Sequence, residues 1–123
     1  MPEIDVVLFK EKDGSVPLID WLDRLPEKAR IKCLVRIERL SQMGNELRRP
    51  EADYLEDRIY ELRVSLQGIN YRMLYFFHEK RGVLSHGLVK ESRVPPNDFD
   101  IAIKRKAMFE QDPDGHTYRE ERQ

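Results

Sequence analysis

The spacing of apolar residues changes period along the chain, and each change marks an element. Residues 4–10, Ile-Asp-Val-Val-Leu-Phe-Lys, are β-branched and apolar and stop at the turn pair Asp13-Gly14, which predicts a first strand. Behind Ser15, a good helix cap, and Pro17, which a first turn tolerates, Leu18, Trp21, Leu22 and Leu25 recur at helical spacing. Pro26 interrupts this helix. A longer one follows to about Met43, with Gly44 as its carboxyl cap and Cys33, Leu34, Ile37 and Leu40 as its buried stripe. The two segments predict a helical hairpin. Residues 45–57 are polar, contain Pro50 and show no period, so they are expected to be a connecting loop.

Residues 58–65, 69–78 and 83–90 are three strand candidates, separated by Gln67-Gly68 and by Lys80-Arg81-Gly82. Connections this short favour antiparallel pairing. Pro95-Pro96 ends the sheet, Asn97 or Asp98 is expected to cap a last helix, and Ile101, Ala102, Met108 and Phe109 form its apolar side. The predicted class is α+β: an amino-terminal strand, a helical hairpin, a three-stranded antiparallel meander and a carboxyl-terminal helix. The simplest packing puts the hairpin on one face of the sheet and the last helix beside it. Residues 1–111 are expected to form a single domain, and 112–123, with Pro113, Gly115 and many charges, a flexible charged tail.

Composition narrows the picture. A chain of 123 residues, 40% hydrophobic, suits one buried core. It has no apolar run of membrane-spanning length, and its first residues lack the basic start and apolar stretch of a signal peptide, so no membrane partner and a cytoplasmic location are expected. A lone cysteine, Cys33, excludes an internal disulfide and a thiolate zinc site, and its apolar neighbours place it in the core. The net charge of -1 conceals a segregation. Residues 1–57 hold 10 Lys/Arg and 13 Asp/Glu, residues 58–106 hold 10 and 5, and residues 107–123 hold 2 and 5. A basic middle between acidic ends is compatible with an anion-binding surface, as well as with chance.

No phosphate-cradling glycine loop, zinc motif or nucleophile elbow is present. The chemistry lies in the strand candidates. Alternation puts Glu61 and Arg63 on one face of the first, Arg72, Leu74 and Phe76 together on the second, and Leu84, His86, Leu88 and Lys90 together on the third. Each strand sets a basic side chain in an apolar surface, which is costly unless the charge reaches water, an acid or a ligand. A guanidinium fixed on a strand can hold two phosphate oxygens. RNA makes such groups chemically sufficient: its 2′-hydroxyl can attack the adjacent phosphorus, so a proton acceptor, a proton donor and positive charge on the phosphorane complete the reaction, with no metal and no cofactor. The structural alternatives are that Arg63 pairs with Glu61 and that Arg72 snorkels from a strand edge. His78 and His86 titrate near neutrality and could move protons, or be hydrogen-bonded sheet residues, and His116 reads as incidental. Lys28, Lys32, Arg36 and Arg39 form a basic stripe on the long helix, available to an RNA backbone or simply solvated.

The runs Tyr60-Glu61-Leu62-Arg63, Ile69-Asn70-Tyr71-Arg72-Met73-Leu74-Tyr75-Phe76-Phe77 and Leu84-Ser85-His86-Gly87-Leu88-Val89-Lys90, with Ala102-Ile103-Lys104-Arg105, resemble the HigB-like, phage-related branch of the RelE/ParE toxin superfamily. The resemblance covers residues 4 to 110 in element order and is most specific from 58 to 105. It implies a RelE-like microbial RNase toxin fold and the toxin of a type II toxin–antitoxin system, cutting mRNA in the ribosomal decoding site. Carried over, Arg63 and Arg72 hold phosphate and stabilise the transition state and Lys90 adds a cation at the end of its strand; His86 is the acid or base candidate on its titration range alone. Arg93, Lys104, Lys32 and Arg36 are the RNA-binding candidates. The implied partners are a helix-turn-helix antitoxin, in a complex that can be of higher order, and the ribosome with its mRNA. The chain departs from the pattern in having Lys90-Glu91-Ser92-Arg93 where a lysine-rich loop is usual, and in its acidity. A gyrase-inhibiting binding module of the ParE type, and a phage-derived relic that cleaves nothing, are the rival readings.

Overall fold

The computed structural model describes residues 3–90 and 92–119. Its elements are β1 (Asp5–Leu8), α1 (Pro17–Asp23), α2 (Glu27–Met43), β2 (Ala52–Glu56), β3 (Ile59–Leu66), β4 (Ile69–His78), β5 (Arg81–Val89) and α3 (Pro96–Gln111). The fold is α+β, with a five-stranded mixed sheet in the order β1-β5-β4-β3-β2. β1 runs parallel to β5 and every other pair is antiparallel. This architecture is compatible with the RelE-like fold.

Both faces of the sheet are covered. Leu62, Val64, Tyr71, Met73, Tyr75 and Leu84 pack against Leu18 and Leu22 of α1 and Ala29, Cys33 and Leu40 of α2. On the other face Ile59, Leu74, Phe76, Val83 and Leu88 meet Ala102 and Phe109 of α3. The last helix therefore does not lie beside the sheet, as expected, but forms a third layer. An apolar residue on each side of every central strand requires it. Cys33 is buried as predicted, and burial pushes its thiol up to about 11. None of the described helices is long and apolar enough to cross a membrane.

Four local readings are corrected. The expected loop 45–57 contains β2, which forms a two-residue hairpin with β3 through Asp57 and Arg58, both at positive φ (52° and 67°). In β5, Leu74 pairs with His86 and Tyr75 with Leu84, so Ser85 is an extra, bulged residue. The bulge sends Leu84 toward α1 and α2 while Leu88 joins the α3 side, breaking the single alternation predicted for residues 83–90. On α2, Leu34 is 49% exposed rather than buried, beside exposed Ile31 and Val35. The helices also start differently: Val16, Pro26 and Pro95 occupy the cap positions without side-chain hydrogen bonds, so Ser15, Asn97 and Asp98 do not cap.

The expected tail is folded where it is described. Residues Asp114–His116 form a short 3-10 turn, Thr117 bridges Phe9, and the Tyr118 N–H donates to the Leu8 carbonyl at 2.9 Å. His116, read as incidental, is 2% exposed, stacks on Phe9 and donates from Nδ1 to the Lys10 carbonyl at 2.8 Å. Apolar Phe9 needs that lid to leave water.

Candidate anion-binding site

The register of β3 and β4 sets Arg63 directly opposite Arg72, with Ser65 opposite Asn70 in the next same-facing row. Two like charges across a pair destabilise a sheet unless something lies between them. Glu61 does. Its carboxylate, on the same face of β3, accepts from Arg72 Nη1 at 2.9 and 3.0 Å and lies 3.4 Å from Arg63 Nε. Glu61 and Arg72 are buried, whereas the Arg63 side chain is 34% exposed and free to meet a ligand.

The basic stripe of α2 completes the arrangement. It does not face solvent as a whole: Lys32 Nζ donates to the Ser65 carbonyl at 3.3 Å, Arg36 donates to the Arg63 carbonyl, and Arg39 clasps Glu51 through two bonds of 2.9 Å. Glu51 is itself tied to β3, accepting the Arg63 N–H on its carbonyl at 2.9 Å. The helix thus lends cations to the sheet margin. Arg36, Pro50, Arg63, Ser65, Asn70 and Arg72 line one pocket of about 360 Å³. Around it the guanidinium groups of Arg36, Arg39, Arg63 and Arg72 face the carboxylates of Glu51 and Glu61, leaving an excess of positive charge. The Arg39 hydrogen bonds hold the Glu51 carboxyl below its usual range. Such a pocket suits an anion with several oxygens, because each fork presents paired donors at a fixed angle.

The remaining candidates divide around this pocket. Lys90 continues the β4–β5 ladder, its N–H donating to the Asn70 carbonyl at 3.1 Å, so it stands at the pocket's margin on the far side of Asn70. Arg93 is exposed and lines a separate shallow cleft with Glu56 and Phe99, and Lys104 is exposed on α3. Neither lines the arginine pocket.

His86 also lies outside it. Its Nε2 is 3.1 Å from Asp98 Oδ1 and its Nδ1 is 2.8 Å from Ser85 Oγ. A carboxylate only accepts, so Nε2 carries the proton of the neutral ring and Ser85 donates to Nδ1. Burial is the main cause holding this imidazole below its ordinary value, against the opposing Asp98 hydrogen bond. The trio resembles a hydrolytic triad in composition, but Ser85 is fully buried, with Arg105 Nη1 at 3.4 Å, and no substrate carbonyl can approach its hydroxyl. Among the described residues, no group of three His, Cys, Asp or Glu is arranged to hold a metal ion.

Of the residues singled out in the sequence, Arg63, Arg72 and Arg36 line this pocket, whereas Lys32 reaches the Ser65 carbonyl without lining it. Sequence reasoning missed Glu61 as the shared anchor and Ser65 and Asn70 as polar lining. The signal for Glu61 was the i, i+2 spacing to Arg63 on a strand, which places both on one face.

A family model described as "Phage derived protein Gp49-like (DUF891)" matches residues 20–107, most of the chain and all of the elements that build the pocket. No curated protein matches.

Proposed function

The chain belongs to the Gp49-like family of phage-derived proteins, a family of RelE-toxin-like chains, and from that premise we propose that it is the toxin of a type II toxin–antitoxin pair. Its activity is metal-independent, ribosome-dependent endonucleolytic cleavage of mRNA. One observation carries this reading: Arg63 and Arg72, opposed in register and anchored on one carboxylate, share a pocket with Arg36. In the reaction the 2′-hydroxyl gives its proton to solvent as its oxygen bonds to the adjacent phosphorus, the P–O5′ bond breaks, and the 5′-oxygen takes a proton from solvent, so that the products are a 2′,3′-cyclic phosphate and a 5′-hydroxyl end. The protein's part is electrostatic. Cations already fixed in place by the sheet and by Glu61 stabilise the extra charge of the phosphorane without having to reorganise. Arg63 and Arg36 hold the non-bridging oxygens, Arg72 stiffens the row from below, and Lys90 meets a neighbouring phosphate. Lys32, Arg93 and Lys104 add attraction for the RNA and ribosome. A helix-turn-helix antitoxin in the same cytoplasm neutralises the toxin by covering the pocket.

One observation favours the non-cleaving reading: the Arg72 side chain is 8% exposed and engaged by both oxygens of Glu61. Expression of the chain from an inducible promoter, with mRNA ends mapped on translating ribosomes, separates the readings. Cuts inside codons that disappear with Arg63→Ala and Arg72→Ala support the nuclease. Growth arrest with intact mRNA and damaged DNA points to the gyrase-binding module, and no arrest to the relic.

A further inference from the structure

Apart from the arginine pocket, a cleft of about 670 Å³ runs between α1 and α3, walled by Pro17, Trp21 and Arg24 on one side and Ile101 and Arg105 on the other. Its floor is the outer edge of β5 at His86 and Gly87. β1 covers that edge only from Arg81 to Leu84, and the last bond on this side is Phe9 N–H to the Leu84 carbonyl at 3.0 Å. β5 continues to Val89. The Lys90 N–H bonds to the Asn70 carbonyl, so the hydrogen-bonded pairs of β4 and β5 fall on Asn70/Lys90, Arg72/Leu88 and Leu74/His86. The N–H and C=O groups of the intervening Gly87 and Val89 consequently point away from β4, those of Gly87 into the groove and those of Val89 along the open edge past its end, and no backbone bond fills them among the described residues.

We propose that this groove is a strand-addition site, in which an extended segment of a partner polypeptide continues the line of β1 and pairs with Gly87 and Val89. The chemistry of the floor selects the occupant. Alternating backbone donors and acceptors along a strand are complemented by another extended backbone, whereas a helix has spent its own groups internally. The walls add a preference for side chains. Trp21 lies so close over Gly87 that a Cβ there would come within 2.2 Å of the indole, so the guest residue opposite Gly87 presents its side chain to the edge of that ring. The guest's next residue points to the other side, toward Ile101 and His86. Val89, 51% exposed at the open end, gains a cross-strand neighbour. Charges on the rim, among them Lys12, Asp13, Asp20 and Arg24, are the kind of edge protection that keeps such a groove from pairing indiscriminately. The site is separate from the arginine pocket and does not depend on RNA cleavage.

The test uses the full chain and a random dodecapeptide library displayed on phage. Selected peptides are synthesised and amide hydrogen exchange of the chain is followed with and without them. We expect the Gly87 and Val89 amides to be slowed about tenfold at ninety per cent occupancy. N-methylation of guest residues whose N–H faces β5 abolishes the effect, and methylation of the alternate residues preserves it. Recovery of no binding peptide, or of peptides that slow exchange only at α2 or around the arginine pocket, overturns the proposal. So does protection of Gly87 and Val89 that rises with protein concentration in the absence of peptide, which would make a second copy of the chain the occupant.

Discussion

Glu61 and Arg72 are joined across two strands inside the sheet face: one guanidinium nitrogen, Nη1, reaches both carboxylate oxygens at 2.9 and 3.0 Å, with both side chains less than a tenth exposed. The pair is what lets Arg63 stand opposite Arg72. Removing Glu61 leaves two facing guanidinium groups without their shared counter-charge, and a buried charge deprived of its partner typically costs about 3–5 kcal/mol. We expect Glu61→Ala to destabilise the fold by that order, measured as a lower urea midpoint at unchanged slope.

Arg63 is a cleaner probe of function, because its side chain is one-third exposed and its ion pair contributes little to stability. We expect Arg63→Ala to change folding stability by less than about 1 kcal/mol. Single-turnover cleavage of ribosome-bound mRNA should fall about 10²–10³-fold, the usual loss when a fixed donor to a developing oxyanion is removed. A melting curve and a quench time course on the same preparation check both halves.

Arg36 brings a charge from α2 to the sheet. If it meets a phosphate, its removal releases one condensed counterion fewer. The salt dependence of affinity for a short single-stranded RNA should then flatten by roughly 0.7 in the log–log slope for Arg36→Ala. An unchanged slope places the RNA backbone elsewhere.

Much of this site was legible before any coordinates, and what was not has identifiable causes. Strand alternation set Arg63 and Glu61 on one face, and the short Gln67-Gly68 turn brought Arg72 opposite. β2 stayed hidden because its hairpin turns on Asp57 and Arg58, left-handed residues where an Asn-Gly pair would have announced the turn. Leu84 was grouped with His86 and Leu88 because strand alternation takes no account of one bulged residue, Ser85, which shifts the register of β5, and no local pattern marks a bulge. The α2 stripe was read as a surface since helical spacing shows which residues share a side but not what lies across from it. Arg36 and Lys32 found β3 there.

The His86 network gives the fold a pH dependence with a definite sign. Burial favours the neutral ring in the folded chain and holds its pKa below the ordinary 6.5, so the unfolded chain binds more protons below that value. The contribution is full above 6.5 and is lost as the pH falls from there through the lower folded value. Glu51, held below its ordinary 4.5 by Arg39, adds a second loss at more acid pH. Denaturation midpoints measured between pH 8 and pH 5, at roughly half-unit steps, should decline below the histidine value, and His86→Gln should remove that decline while leaving the acid loss.

The arginine pocket is proposed to act on the charge that forms when RNA attacks itself, and the 2′-hydroxyl is therefore indispensable. The most direct measurement places a single 2′-deoxynucleotide at the mapped cleavage position of an mRNA bound in a translating ribosome. With the wild-type chain, we expect the all-ribose message to be cut to a 2′,3′-cyclic phosphate and the substituted message to survive intact at that position. Cleavage of the deoxy-substituted message at an undiminished rate, or a 5′-phosphate on the downstream product, would contradict it.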